Sequence, residues 1–395
     1  MNAPLKNSIA ALIPELTEWR RDFHAFPELQ YDLGRTAGLV AERLKAMGFD
    51  EVHEGIGKTG VVGLLHGVNG PAQDVGKRVL LRADMDALPI LEAGAGAHAS
   101  KKPGLMHACG HDGHTTLLLG AARHLSDTRD FDGTLVFCFQ PAEEGGAGAQ
   151  AMIDDGLFER FPVKGVYGLH NWPGLPIGHF AVAHGPAMAS ADTLDIVVQG
   201  YGGHAAMPHK ARDPIIAASE IVLAAQTIVS RILDPLEPAV VSITSFNAGQ
   251  TYNVIPDKAE LKLTFRAFSE SVAAQIETEL KRICAGVAAA HRVEVEISHP
   301  EKHPYPPTIN HPAETEIALE AMRAVAGPNN VHDDIKPAMG SEDFSFMLRR
   351  VPGAYIFLGN GDSAPVHHPA YDFSDAAIPH GVAYWTELAR RVLPK

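Results

Sequence analysis

The sequence predicts an α/β protein: a mainly parallel sheet covered by helices on both faces, interrupted by an inserted β-α-β-β-α-β domain. Three observations lead there. Segments of helical period alternate with short apolar runs through residue 139; a strand-helix-strand-strand-helix-strand series occupies 193–298; and 395 residues exceed what one hydrophobic core usually supports.

In chain order, the opening segment through Leu44 carries apolar residues at helical spacing and ends at Met47-Gly48, so it reads as helix. Strands follow near Gly60–His66 and Arg78–Arg82. A glycine- and alanine-rich loop from Ala93 to Gly104 leads into His107–His114. Thr115–Leu125 then reads as a buried helix and Thr134–Phe139 as a buried strand, the alternation of a parallel sheet with both faces covered. Past about Ala187 the pattern becomes strand Thr193–Gln199, helix Pro214–Leu233, strands Ala239–Ser245 and Lys258–Phe268, helix Ser271–His291 and strand Val293–Ser298. This series closes a small sheet with two helices on one face, so the chain on either side must complete one larger domain. The expected division is 1–187 with 302–395 as one discontinuous domain and 188–301 as the insertion. The run His303-Pro304-Tyr305-Pro306-Pro307, which resists helix and strand alike, marks the return crossing.

Composition narrows the function. A formal charge of −14 repels phosphate backbones, so neither nucleic acid nor an anionic membrane surface is an expected partner; a small molecule is. The opening MNAPLKNSIAALIPELTEW does not resemble a secretory signal, and no stretch reads as the ~20 apolar residues of a membrane span. Cys109, Cys138 and Cys284 are an odd, dispersed set that suits a reducing compartment, so the expected location is cytoplasmic.

The strongest local signal is Met106-His107-Ala108-Cys109-Gly110-His111-Asp112-Gly113-His114, a thiol, imidazoles and a carboxylate in one short run. In an extended loop Cys109 and His111 would point the same way, and thiolate and imidazole are good ligands for zinc-like ions. The plainer reading is a helix N-cap served by Asp112 or Thr115. A second signal is Phe139-Gln140-Pro141-Ala142-Glu143-Glu144-Gly145-Gly146, two carboxylates at what should be the carboxyl end of a strand, where ligand crevices form in open α/β sheets. Extended backbone would point Glu143 and Glu144 to opposite sides, dividing their roles into ligand and proton acceptor; the plainer reading is a solvated acidic turn. His170 and the His367-His368 pair each follow a short apolar strand, where a histidine is more often structural than a ligand. Together with Cys109, His111 and an acidic residue they would leave coordination positions open, which implies catalysis. In the inserted series, His204 lies in Gly200-Tyr201-Gly202-Gly203-His204 between strand and helix, placed either as a reaching residue or as a turn histidine.

These motifs resemble the M20 metallopeptidases, and within them the N-acyl amino acid amidohydrolases typified by hippurate hydrolases and auxin-conjugate hydrolases. The resemblance runs through Arg82–Pro89, His107–His114, Gln140–Gly146, Gly168–Trp172, Gly202–His209, Tyr252–Pro256, Gly340–Phe344 and His367–Phe373. It implies a zinc-peptidase-like catalytic domain with a ferredoxin-like lid and dimerisation domain, assembled as a homodimer or homotetramer. It implies two divalent ions, of zinc, manganese, nickel or cobalt, held by Cys109, His111, Glu144, His170 and His367. Glu143 is implied as general base on the water that attacks the amide of an N-acyl amino acid. His204 and Asn253 are implied at the substrate, where His204 would reach the oxyanion, Arg266 at the substrate's free carboxylate, and Asp84 as an orienting residue. Most of the wider family carries a metal-binding histidine where this chain has Arg82 and a bridging aspartate where it has Cys109, departures shared with the amidohydrolase branch. The rival readings are a carboxypeptidase or dipeptidase on the same site and, from another class, a noncatalytic metal-binding protein.

Overall fold

The computed structural model describes residues 3–94, 96–300 and 303–395. The chain divides into two compact units, Met1–Ala187 with Ile309–Lys336 and Asp343–Lys395, and Met188–Thr308 with Pro337–Glu342.

In the first unit, helices α1 (Ala3–Ala25) and α2 (Gly34–Ala46) precede strands β1 (Glu51–Ile56), β2 (Gly60–His66) and β3 (Arg78–Asp84). Helix α3 (His111–Thr128) and strands β4 (Thr134–Gln140) and β5 (Gly165–Trp172) follow. The opening segment is thus two helices, broken near Phe26-Pro27, where proline denies the helix a backbone donor. The eight-stranded sheet runs β1-β2-β4-β3-β5, then Gly353–Gly359, Phe180–Ala181 and Val331–His332. Its centre is parallel: β3 pairs in parallel with β4 and β5, and β5 with Gly353–Gly359. Strand β4 is buried throughout, as a strand covered on both faces must be. On one face, α3 packs against the Ile378–Val392 helix, and both helices carry glycine at the contact. A Cβ at Gly120 would lie 2.6 Å from Val382, and one at Gly381 2.4 Å from Leu117, so only glycine lets the two axes approach this closely.

Register positions the chemistry. Asp84 pairs with Gln140 and Arg82 with Gly168, so the carboxyl ends of β3, β4 and β5 lie side by side, and the segments that follow them emerge at one edge.

The second unit holds a four-stranded antiparallel sheet in the order Ala239–Ala248, Lys258–Ala267, Asp192–Gln199 and Glu294–Ser298. Helices Pro214–Thr227 and Glu270–His291 complete the β-α-β-β-α-β series. Alternate residues of the Lys258–Ala267 strand are buried, and Leu261, Leu263 and Phe265 share a core with Ile221 and Leu280 of the two helices. Pro214–Ile232 is long and apolar enough to cross a membrane by length and composition, a run the sequence reading did not expect. Its Ala217, Ala218, Ile221 and Ala225 face the core, while Ile216 and Leu223 are exposed.

Candidate metal centre

Cys109 and His111 do converge, by a route other than extended backbone. Gly110 between them has φ +89°, so the chain reverses there and His111 opens α3. A Cβ at Gly110 would lie 2.3 Å from Asn171 Nδ2 and 2.4 Å from Tyr371 Oη, so this left-handed position also has no room for a side chain. The Glu143-Glu144 segment is not extended either. Ala142 is left-handed (φ 53°, ψ 43°), and Glu143–Gly146 is a single kinked helical turn. That turn folds both carboxylates toward one point, where an oxygen of each and a nitrogen of His111 lie within 4.8 Å of one another. The expectation that the two side chains part to opposite faces is therefore corrected.

Two three-residue clusters share Cys109. Ligand atoms of Cys109, His111 and His170 lie within 4.8 Å of one another, and so do those of Cys109, Glu144 and His367. His170 Nε2 is 3.4 Å from Cys109 Sγ, and His367 Nε2 is 3.3 Å from Glu144 Oε1. Cys109, His111 and His170 are buried, whereas the His367 side chain is 53% exposed, which gives the centre one open side. His367 has φ +67° and donates its backbone N–H to the Ala108 carbonyl (2.7 Å), tying its loop to the cysteine loop. Neighbouring His368 instead accepts Ala370 N–H and caps its own turn.

Backbone carbonyls fix the tautomers. His111 Nδ1 donates to the Asp86 carbonyl (2.8 Å) and His170 Nδ1 to the Asn171 carbonyl (2.6 Å), which leaves Nε2 as the nitrogen each ring can offer a metal ion. His111 Nε2 is buried and makes no hydrogen bond among the described residues; carboxylate oxygens of Asp84 and Glu144 lie 3.7 and 4.0 Å from it. Asp84, at the end of β3, takes one bond from Arg82 (2.7 Å) and one from His114 Nδ1 (2.7 Å). His114 Nε2 accepts Asn171 N–H (2.9 Å), Asn171 Nδ2 reaches the Cys109 carbonyl (2.6 Å), and Tyr371 donates to Asn171 Oδ1 (2.8 Å). Arg82 is fully buried, its fork shared among Gln140, Asp84 and Asp343.

The electrostatics call for a cation. Arg82 pairs with Asp84 (2.7 Å) and Asp343 (3.1 Å), while Glu143 lies within 4.8 Å of Asp343 in one cluster and of Glu144 and His111 in another, with buried Asp86 on the backbone of both glutamates. Burial opposes charging His111, yet Asp84, Asp86 and Glu144 push it up to about 10. Burial, then Glu144, Glu143 and Asp84, drive the Cys109 thiol well above its ordinary range. Burial and His114 hold His170 well below the imidazole range, neutral and ready to ligate. A divalent ion among these groups would satisfy the orphaned Nε2 and let Cys109 exist as thiolate, so the donor set fits the metal its thiol, imidazole and carboxylate chemistry implies.

Residues 80–391 match the model of peptidase family M20/M25/M40. The chain belongs to this family. Among its relatives, the hippurate hydrolase of Campylobacter jejuni is 43% identical over 97% of this chain and 99% of its own length. Thermostable carboxypeptidase 2 of Saccharolobus solfataricus is 40% identical over 90% of this chain and 88% of its own. Among solved structures, the Bacillus subtilis YXEP protein, a dinuclear metal-binding peptidase of the M20 family, superposes with a TM-score of 0.82 at 33% identity, covering 97% of this chain and 99% of that one. This M20 chain is a metal-dependent amidohydrolase.

The other residues singled out in the sequence lie in the second unit. His204 is exposed on a two-residue strand paired with Val254, and its Nδ1 accepts Ala206 N–H. Asn253 offers its carbonyl to Ala205 N–H. Arg266 sits in the Lys258–Ala267 strand and donates to the Phe265 carbonyl (3.0 Å). Sequence reasoning missed Asp86, Asn171 and Tyr371, although each lies within a motif that this M20 chain displays; only the fold reveals what they touch.

Proposed function

We propose that the enzyme hydrolyses the amide of N-acyl amino acids, of hippurate or N-acetyl type, releasing a carboxylic acid and a free amino acid. The observation that carries this reading is the pair of ligand clusters sharing Cys109 with Glu143 alongside, in a chain so similar to a hippurate hydrolase. One ion would be held by Cys109, His111 and His170, the other by Cys109, Glu144 and His367. Bound there, divalent ions supply Lewis acidity that polarises the acyl carbonyl and lowers the pKa of water toward about 7. Glu143 takes a proton from the attacking water and returns it to the departing amine nitrogen, so no covalent intermediate with the protein is required. His170 and His111 are kept as Nε2 donors by their carbonyl partners, and Asp84 holds His114 against the same cluster. His204 is proposed to stabilise the oxyanion, with Asn253 and Arg266 binding the substrate. The 188–301 insertion is proposed as lid and dimerisation domain of a homodimer or homotetramer, in keeping with the exposed Leu223, Leu236 and Tyr252.

Glu143→Gln tests the central role: kcat should fall on the order of 10²–10⁴-fold while metal content per chain is unchanged. Retention of most of the activity would remove Glu143 from the chemistry. A carboxypeptidase reading is favoured by the similarity to thermostable carboxypeptidase 2, since peptide and N-acyl bonds need the same chemistry. Comparing kcat/KM for hippurate, N-acetyl amino acids and dipeptides decides between them, and preference for dipeptides would overturn the N-acyl assignment.

A further inference from the structure

Asp86 lies two residues beyond Asp84, its side chain buried and aimed at the turn that carries the two glutamates. Its Oδ1 accepts Glu143 N–H at 2.9 Å and its Oδ2 accepts Glu144 N–H at 3.1 Å. Its own carbonyl takes the proton of His111 Nδ1 at 2.8 Å. One residue thus grips the backbone of both glutamates and fixes which nitrogen His111 presents. Two consecutive amide N–H groups can be served at once by a carboxylate, which accepts on both oxygens, but not by an amide, which accepts on one and turns a donor toward the other. The grip is needed because the turn does not hold itself: Ala142 is left-handed, and Glu144 and Gly145 depart from helical dihedrals. The carbonyls of the turn are held by other residues, Tyr31 Oη on Gly146 (2.6 Å) and Gln30 Nε2 on Glu144 (3.2 Å).

We propose that Asp86 is a positioning residue that aims Glu143 at the reacting water and Glu144 at the ion, with Tyr31 as the second hold on the same turn. The proposal rests on the reading of Glu143 as base. Small displacements of a catalytic group cost rate steeply, about 10²-fold for roughly 1 Å, without a matching loss of substrate binding.

The test is a double-mutant cycle on the metal-loaded enzyme with Asp86→Asn, Glu143→Gln and the pair, measuring kcat, KM and bound metal per chain by elemental analysis. Asp86→Asn should lower kcat about 10²-fold with KM within about 3-fold of the parent. Its effect should largely vanish in the Glu143→Gln background, because a misaimed base cannot harm an enzyme that has none. A loss that multiplies undiminished in the double variant, or an Asp86→Asn enzyme with parental kcat, would overturn the proposal. If Glu143→Gln alone keeps parental kcat, the base assignment fails separately and is recognised as such. Should Asp86→Asn fail to fold, Tyr31→Phe, which deletes one hydroxyl from a partly buried site, carries the test. A kcat reduced at least about 3-fold with KM and metal content unchanged supports the shared hold on the turn, and an unchanged kcat sinks it.

Discussion

Replacing Gly110 by alanine puts a methyl group where the structure has Asn171 Nδ2 at 2.3 Å and Tyr371 Oη at 2.4 Å, on a residue with φ +89°. The left-handed backbone alone costs an L-residue about 1–2 kcal/mol, and forced overlap in a packed interior about 1–3 kcal/mol. Relief requires Asn171 to release the Cys109 carbonyl and Tyr371 to release Asn171, leaving buried polar groups at about 1–3 kcal/mol each. With the overlap relieved by these two releases, the backbone and the unpaired groups total about 3–8 kcal/mol, concentrated between two proposed ligands. Gly174 supplies an internal control, since it has nearly the same dihedral (φ +88°), lies in the same unit, and nothing stands within 4 Å of its would-be Cβ. Gly174→Ala therefore measures the backbone term alone. In urea denaturation of the metal-stripped proteins, Gly110→Ala should be less stable than Gly174→Ala by about 2–6 kcal/mol. Chelator competition should show weakened metal binding in Gly110→Ala only. Equal stabilities within about 0.5 kcal/mol would refute the packing argument at this turn.

Buried His24 donates to Asp112 and Glu92; burial opposes its charge, but Asp112 above all pushes it up to about 10. A raised imidazole stabilises fully below its unfolded range near 6.5 and loses that contribution as pH climbs through about 10. Denaturation midpoints of the metal-stripped protein should accordingly fall between pH 7 and pH 10, approximately the span between those two values, and His24→Gln should remove this part of the fall. Arg82→Met leaves the Asp84 and Asp343 carboxylates without their guanidinium in a fully buried setting, and should destabilise by about 3–5 kcal/mol in the same assay. A neutral outcome would mean those charges are balanced elsewhere. His367→Ala should lower bound metal from two ions to about one, because its proposed cluster loses a ligand while Cys109, His111 and His170 keep theirs.

Where neighbours in sequence decide the structure, the sequence was readable. The β-α-β-β-α-β series was legible because period-2 and period-3.6 patterns alternate cleanly, and its observed strands and helices lie close to the expected bounds. The Glu51–Ile56 strand was not, since EVHEGI is mostly polar and, at the sheet edge, only Ile56 is buried. At the centre, the residue types that converge were visible in the motifs, but their path was not. Gly110 and Ala142 are left-handed, so an extended-chain argument reaches the convergence of Cys109 and His111 by a path the backbone does not take, and reaches the wrong directions for Glu143 and Glu144. Asp86, Asn171 and Tyr371 act through residues 25 to 200 positions away, a separation that no local periodicity encodes.

Anomalous diffraction from crystals of the metal-loaded enzyme would locate the ions against their ligands. Two peaks per chain are expected, with Cys109 Sγ bound to both, His111 and His170 on one, Glu144 and His367 on the other, and Glu143 bound to neither. A single peak, peaks away from Cys109, or Glu143 inside a coordination shell would contradict this arrangement.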